Sequence, residues 1–206
     1  MNLKPNKKKL AHFFSSYSWM WLLSSAALCL ALCYGVHAAN APKEEETFAY
    51  FFETYGLKEN SIAEKSKAVC PSLLKVDVYE ASPKESLLTT KFSSFGLTSD
   101  FLLLLESDLD EMKDVIKSNL KSLDESSFSF GGEVDSYKAY GETFAFKLHD
   151  GENEGYNARF AANSLFDFGD GKESFYVCVP LSSVHYGGKT GHGFSLVSSF
   201  FSGGLL

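Results

Sequence analysis

The chain has 206 residues, 45% of them hydrophobic, and carries 26 acidic against 19 basic side chains for a formal net charge of −7. That length suits one ordinary domain with a real hydrophobic core. An acidic surface repels phosphate backbones, which argues against a nucleic-acid partner.

The first predicted element is Trp19 to Val36, an uncharged run behind the basic patch Lys4, Lys7, Lys8 and Lys9. A positive start, an apolar core and the small-residue exit Val36-His37-Ala38 have the order of a secretory signal peptide cleaved after Ala38. The same run reaches the lower end of what spans a bilayer, so an uncleaved anchor with the lysines in the cytoplasm is the competing expectation. A mitochondrial transit peptide fits badly because the segment has no arginine. Lipidation at Cys33 would want a small residue in place of Leu32. Either main reading makes residues 39–206 a single exported domain, periplasmic or extracellular, that meets the membrane only through its N-terminal segment.

Residues 1–38 contain four lysines and no acid, so the exported part keeps 15 basic and 26 acidic residues, a net charge of −11. Such a charge serves solubility in general and a cationic partner in particular cases. Cys29 and Cys33 lie in the export segment, leaving Cys70 and Cys178 as the one disulfide candidate. A bridge closing a loop of about 100 residues would add about 4–5 kcal/mol in the chain-entropy model. Two separate buried thiols are the alternative. No CxxC or Cys/His spacing of a zinc site occurs.

After Pro42, the spacing of Phe48, Phe51, Phe52 and Tyr55, with acids ahead of them and Gly56 behind, predicts an amphipathic helix over 43–55. Ser61-Ile62-Ala63-Glu64 reads as a capping box, and Pro71 stops the helix it opens. Alternation predicts a strand over 73–80 with Leu74, Val76 and Val78 on one face, then a turn at 81–84 and a second strand over 87–95. Phe101 to Leu105 reads as a strand buried on both sides. Leu109, Met112, Val115, Ile116, Leu120 and Leu123 mark one face of a helix over 108–123, opened by Ser107.

From Ser136 the period becomes two. Tyr140, Phe144, Phe146 and Leu148 predict one strand, and Tyr156, Ala158, Phe160 and Ala162 a second across the loop 150–155. Phe175, Val177 and Val179 predict a third strand, and residues 193–201 a fourth. Short loops between them predict a four-stranded antiparallel meander. The fold class expected is therefore α+β: a largely antiparallel sheet covered by helices near 43–55 and 108–123.

The loop His185 to Gly193 holds a Gly188-Lys189-Thr190 triplet. A phosphate-binding loop would need glycine where Ser183 stands and a helix afterwards, where Gly-Phe-Ser-Leu-Val reads as strand. Lys189-Thr190-Gly191 with Ser72-Leu73-Leu74-Lys75 has the pattern of serine penicillin-binding enzymes, but the Ser-Asp-Asn element between them is missing. His185 and His192, with Asp167, Asp170 or His149 from other loops, would form a metal or acid/base site if those loops shared one end of the sheet. The acidic loop from Asp150 places Ala161 where a calcium loop needs glutamate. No nucleophile elbow or HExxH is present, and Arg159 is the single arginine.

The function expected first is non-catalytic, a binding or assembly protein whose partner is a protein or a small molecule, with no cofactor. The second is a small secreted hydrolase or metal-dependent enzyme using His185 and His192, with Lys189 as a further candidate. A small outer-membrane barrel is opposed by the helix over 108–123 and by a C-terminus without a terminal aromatic.

Overall fold

A computed structural model describes residues 7–58, 61–83, 98–170, 172–187 and 191–203. The chain divides into two compact units, Met1–Ala41 and Pro42–Leu206. The first is a single helix, α1 (Lys7–Asn40). Its stretch Met20–Asn40 is long and apolar enough to cross a membrane and has none of its surface buried, which fits a signal peptide or a membrane anchor. Two serines interrupt the apolar run without leaving polar groups unmet. Ser24 Oγ donates to the Trp21 carbonyl at 3.1 Å and Ser25 Oγ to the Leu22 carbonyl at 3.0 Å, the back-bonding that lets serine sit within a helix.

The second unit is a mixed α+β domain. Its elements are β1 (Thr47–Glu53), β2 (Gly56–Leu57), α2 (Ile62–Val69), β3 (Lys75–Ala81), β4 (Phe101–Leu105), α3 (Glu106–Glu111), α4 (Ile116–Asn119), β5 (Ser136–Ala139), β6 (Glu142–His149), α5 (Glu154–Asn157), β7 (Phe166–Asp167), β8 (Phe175–Cys178) and α6 (His192–Ser202). Six strands form one sheet in the order β3-β1-β4-β8-β6-β5, and β2 pairs with β7 in a separate ribbon. The three pairings from β4 through β8 and β6 to β5 are antiparallel, whereas β3, β1 and β4 run parallel.

The predicted helix over 43–55 is a strand. Residues Glu44–Glu46 make one 3-10 turn, in which the Lys43 N–H donates to Glu46 Oε2 at 2.9 Å, and the chain then extends as β1. Phe48, Tyr50 and Phe52 enter the core on one face of the sheet and Phe51 that on the other. A strand lying between two others buries both faces, so an aromatic run that looks like a helical stripe is also what an interior strand requires. α2 forms where expected, but Ser61 makes no side-chain capping bond. β3 begins two residues later than predicted, with Val76 and Val78 packed on the core and Leu74 ahead of the strand and exposed, and the predicted strand over 87–95 lies outside the described residues. β4 is buried throughout, with Phe101, Leu103 and Leu105 on one face and Leu102 and Leu104 on the other.

The helix expected over 108–123 is broken into α3, a 3-10 turn at Lys113–Val115, and α4. Leu109, Met112, Ile116 and Leu120 still cover the second face of the sheet. Val115 remains 49% exposed. The run stops because Leu120 takes an extended conformation and bridges Pro180.

The expected meander is only partly present. β5 and β6 form a hairpin whose two-residue turn, Tyr140 at φ 52° and Gly141 at φ 79°, has the left-handed pair that matches strand twist. The predicted strand over 156–162 is instead α5 followed by a 3-10 turn at Ala161–Leu165. Asn153 Oδ1 accepts the Tyr156 N–H at 3.0 Å and so caps a helical turn that alternation alone would not suggest. The predicted last strand, 193–201, is α6. Its buried residues Leu196, Val197, Phe200 and Phe201 repeat at helical spacing, and Gly203 at φ 79° supplies the left-handed stop.

The Cys70–Cys178 disulfide does not form. Both thiols are free and buried, and they belong to hydrophobic clusters on opposite faces of the sheet. Burial pushes both thiols up from their ordinary range.

Candidate functional site

A group of buried and half-buried polar side chains lies where β1, β3 and β4 begin and where the chain leaves β8. Two backbone bonds fix the exit from β8: Lys121 N–H donates to the Val179 carbonyl and Leu181 N–H to the Asn119 carbonyl, both at 2.8 Å. Lys121 then turns its amino group back under the loop, where Nζ donates to the carbonyls of Ser183 at 2.7 Å and Tyr186 at 3.2 Å. Burial lowers the pKa of this lysine, and the nearby Asp100 carboxylate opposes the shift.

Asp100 ties that loop to the sheet. Its backbone N–H donates to the Ala49 carbonyl at 2.7 Å, and its Oδ2 accepts the Ala49 N–H at 3.0 Å. Oδ1 accepts the Ser183 hydroxyl at 2.7 Å. Burial raises the Asp100 pKa above the usual carboxylate range, outweighing the bonds from Ser183 and Ala49 and the proximity of His185. Beside Asp100 opens a pocket of about 300 Å³, walled by Glu44, Thr47, Thr98, Ser99, Ser182, Ser183 and Val184. Its lining is two carboxylates and five hydroxyls with one aliphatic side chain.

His185 is fully buried. Its Nε2 lies 2.6 Å from the Thr47 carbonyl and 3.9 Å from Asp100 Oδ2. A carbonyl only accepts, so Nε2 carries a proton, and whenever the ring is neutral its lone pair is on Nδ1. The His192 ring lies 5.6 Å from it at an interplanar angle of 30°. His192 Nε2 is 2.7 Å from the hydroxyl of Ser72, which is exposed. Burial, and then the neighbouring His185, lower the His192 pKa.

The structure brings His185 and His192 together with Asp100, Ser183 and Ser72 rather than with the other predicted partners. His185 touches the first residue of β1, while the Tyr55 N–H just past its last residue donates to the Asp167 carbonyl at 2.9 Å. A seven-residue strand spans about 20 Å, so Asp167 lies at the far end of the sheet. Its Oδ1 accepts the Gly169 N–H at 2.9 Å, and Asp170 follows in the same turn. His149 is at that far end too. It pairs in register with Phe175 at the start of β8 and stacks on Phe168 with ring centroids 4.0 Å apart. Lys189 lies outside the described residues. Among the described residues no group of three or more His, Cys, Asp or Glu is placed to hold a metal ion.

Sequence reasoning missed Asp100, Ser183 and Lys121. The one local signal was an aspartate directly ahead of a five-residue apolar strand, and nothing in spacing links it to a loop more than eighty residues later. No family model, curated protein or solved structure matches the chain.

Proposed function

We propose that the N-terminal helix delivers the chain across a membrane and that residues 42–206 form a non-catalytic binding domain for a small polar ligand, held in the Asp100 pocket. The observation that carries this reading is the pocket. At about 300 Å³ it is of the size that encloses a small molecule. Its carboxylates, Glu44 and Asp100, favour a ligand with a positive charge, and the hydroxyls around them offer donors and acceptors to its polar groups. The net charge of −11 on residues 39–206 raises the local concentration of cations and works in the same direction.

The test is a titration of the purified full chain with small amines and, for comparison, neutral polyols and carboxylic acids, followed by NMR. Amines are expected to move the resonances of Thr47, Ser99 and Ser183. Ser182→Trp, which fills the pocket from an exposed wall position, is expected to abolish the response. Equal responses to all three classes, or a response that survives Ser182→Trp, would remove the proposal. Export is tested separately, by determining the N-terminus of the protein recovered outside the cytoplasm. A start at Ala39 means cleavage, and an intact α1 in the membrane fraction means an anchor. Recovery in the cytosol defeats both.

One contact favours a second reading, a small hydrolase, because Ser72 Oγ lies 2.7 Å from His192 Nε2 as a nucleophile lies beside its base. For Nε2 to accept the serine proton, Nδ1 must carry the other one. Nδ1 is buried without an acceptor among the described residues, which ranks this reading second. Labelling of Ser72 by a fluorophosphonate would restore it.

A further inference from the structure

Three polar atoms in residues 185–192 are buried with no hydrogen-bond partner among the described residues: His185 Nδ1, Tyr186 Oη and His192 Nδ1. A buried polar atom left unpaired costs about 1–3 kcal/mol, and folded proteins seldom leave one so without a water, an ion or a functional reason. Their concentration in one loop contrasts with the paired state of Asp100, Ser183 and Lys121 beside them.

Two of the three are imidazole nitrogens, and the two rings share one arrangement. In each, Nε2 is engaged by a protein oxygen, the Thr47 carbonyl at 2.6 Å for His185 and the Ser72 hydroxyl at 2.7 Å for His192. The Thr47 carbonyl only accepts, so it fixes a proton on Nε2 of His185 and, in the neutral ring, leaves Nδ1 the lone pair; the Ser72 hydroxyl orients the His192 ring and, when it accepts from Nε2, leaves Nδ1 of His192 as the lone-pair donor. Metal-binding histidines are oriented in this way. The rings lie 5.6 Å apart. Sharing an ion at about 2.0–2.1 Å from each nitrogen requires the two Nδ1 atoms about 3–4 Å apart, a separation compatible with ring centroids 5.6 Å apart and planes inclined at 30°.

We propose that His185 and His192 bind one transition-metal ion through their Nδ1 atoms. Two imidazoles select ions of the Zn²⁺ and Cu²⁺ class over Mg²⁺ and Ca²⁺, which require oxygen ligands. No third His, Cys, Asp or Glu among the described residues completes the set, so the two imidazoles are the protein ligands and the remaining coordination positions fall to ligands that enter the closed space around the two nitrogens together with the ion. Ser72 and the Thr47 carbonyl are positioning groups, and the site stands whether or not the Asp100 pocket binds amines.

The experiment uses the purified full chain, stripped with chelator and titrated with Zn²⁺ against a chromophoric competitor. Co²⁺ absorption is recorded in parallel. One equivalent of Zn²⁺ is expected to bind, and Co²⁺ is expected to give a visible ligand-field spectrum. His192→Ala is expected to weaken Zn²⁺ binding at least tenfold, and Ser72→Ala to weaken it less while leaving the stoichiometry at one, since loss of an outer partner costs about 10–100-fold in affinity. His149→Ala is expected to have no effect. His185 is in the core and its substitution risks unfolding, so the assignment there is read from a zinc-dependent shift of its ¹⁵Nδ1 resonance in the parent protein. Sub-stoichiometric binding, an unchanged affinity in His192→Ala, or an unmoved His185 resonance would overturn the proposal, and the buried nitrogens would then be solvated by water alone.

Discussion

At the far end of the sheet Lys147 pairs with Asp150 at 3.0 Å, and Asp150 Oδ1 also accepts the N–H groups of Glu152 at 2.9 Å and Asn153 at 3.1 Å. His149 Nδ1 meets Asn163 Oδ1 at 3.1 Å. At the near end, Asp100 is half-buried beside a pocket, and two imidazoles each keep one nitrogen without a partner among the described residues. Both ends carry a histidine, an aspartate and a lysine. At the far end donors and acceptors are matched, which is how a loop is fixed in place. At the near end two buried imidazole nitrogens are left unpaired among the described residues, and a folded protein normally gives such groups a water, an ion or a functional role.

The two aspartates give the sharpest test, because their pKa values move in opposite directions. Asp100→Ala removes the acceptor of both the Ala49 N–H and the Ser183 hydroxyl and is expected to cost about 2–4 kcal/mol at neutral pH by urea denaturation. Since the folded protein holds the Asp100 proton more tightly than the unfolded chain, the proton-linked part of that carboxyl's contribution, which adds to its hydrogen bonds, is complete below its ordinary value and is lost as pH rises through its folded value. The cost of the substitution should therefore grow on acidification.

Asp150→Ala is expected to cost less, about 1–2 kcal/mol, and to show the opposite slope. Burial opposes ionisation of Asp150, but the Glu152 N–H and Lys147 overcome it and hold its pKa below the ordinary carboxylate value. Its contribution is present above that ordinary value and is lost as pH falls through the folded one. Parent and variant should converge in acid. Parallel slopes for the two variants would break the contrast between the ends. The smallest effect is expected from Ser72→Ala, an exposed position, where stability should change by less than about 0.5 kcal/mol. The His192 imidazole ¹⁵N resonances should still move, reporting the lost contact at Nε2.

What could be read from the sequence followed from chemistry local in the chain. The apolar N-terminal helix, the doubly buried Phe101–Leu105 strand, the short helix ahead of Cys70 and the hairpin strand through Phe144 and Phe146 all announce themselves by composition or period. The errors came where one apolar pattern served two periods. Phe48, Phe51 and Phe52 satisfy a helical stripe and also the two faces of an interior strand, and the outcome is set by β3 and β4 on either side. The run from Gly193 to Phe201 offers alternation, but the sheet already ends at β3 and β5, and the segment covers one face as a helix. The pairing of His185 with His192 was visible as two histidines in one loop. Its dependence on Thr47, Ser72 and Asp100 was not, because those contacts join residues 51 to 138 positions apart in the chain.

The strand order also bears on when the domain takes shape. β4 waits for β8 on one side, and β8 lies between β4 and β6, so the sheet stays in two pieces until residues 175–178 have left the ribosome. Pairings between distant segments form late and slowly. If the N-terminal helix delivers the chain across a membrane, as proposed, the same delay would keep the later segments open during passage.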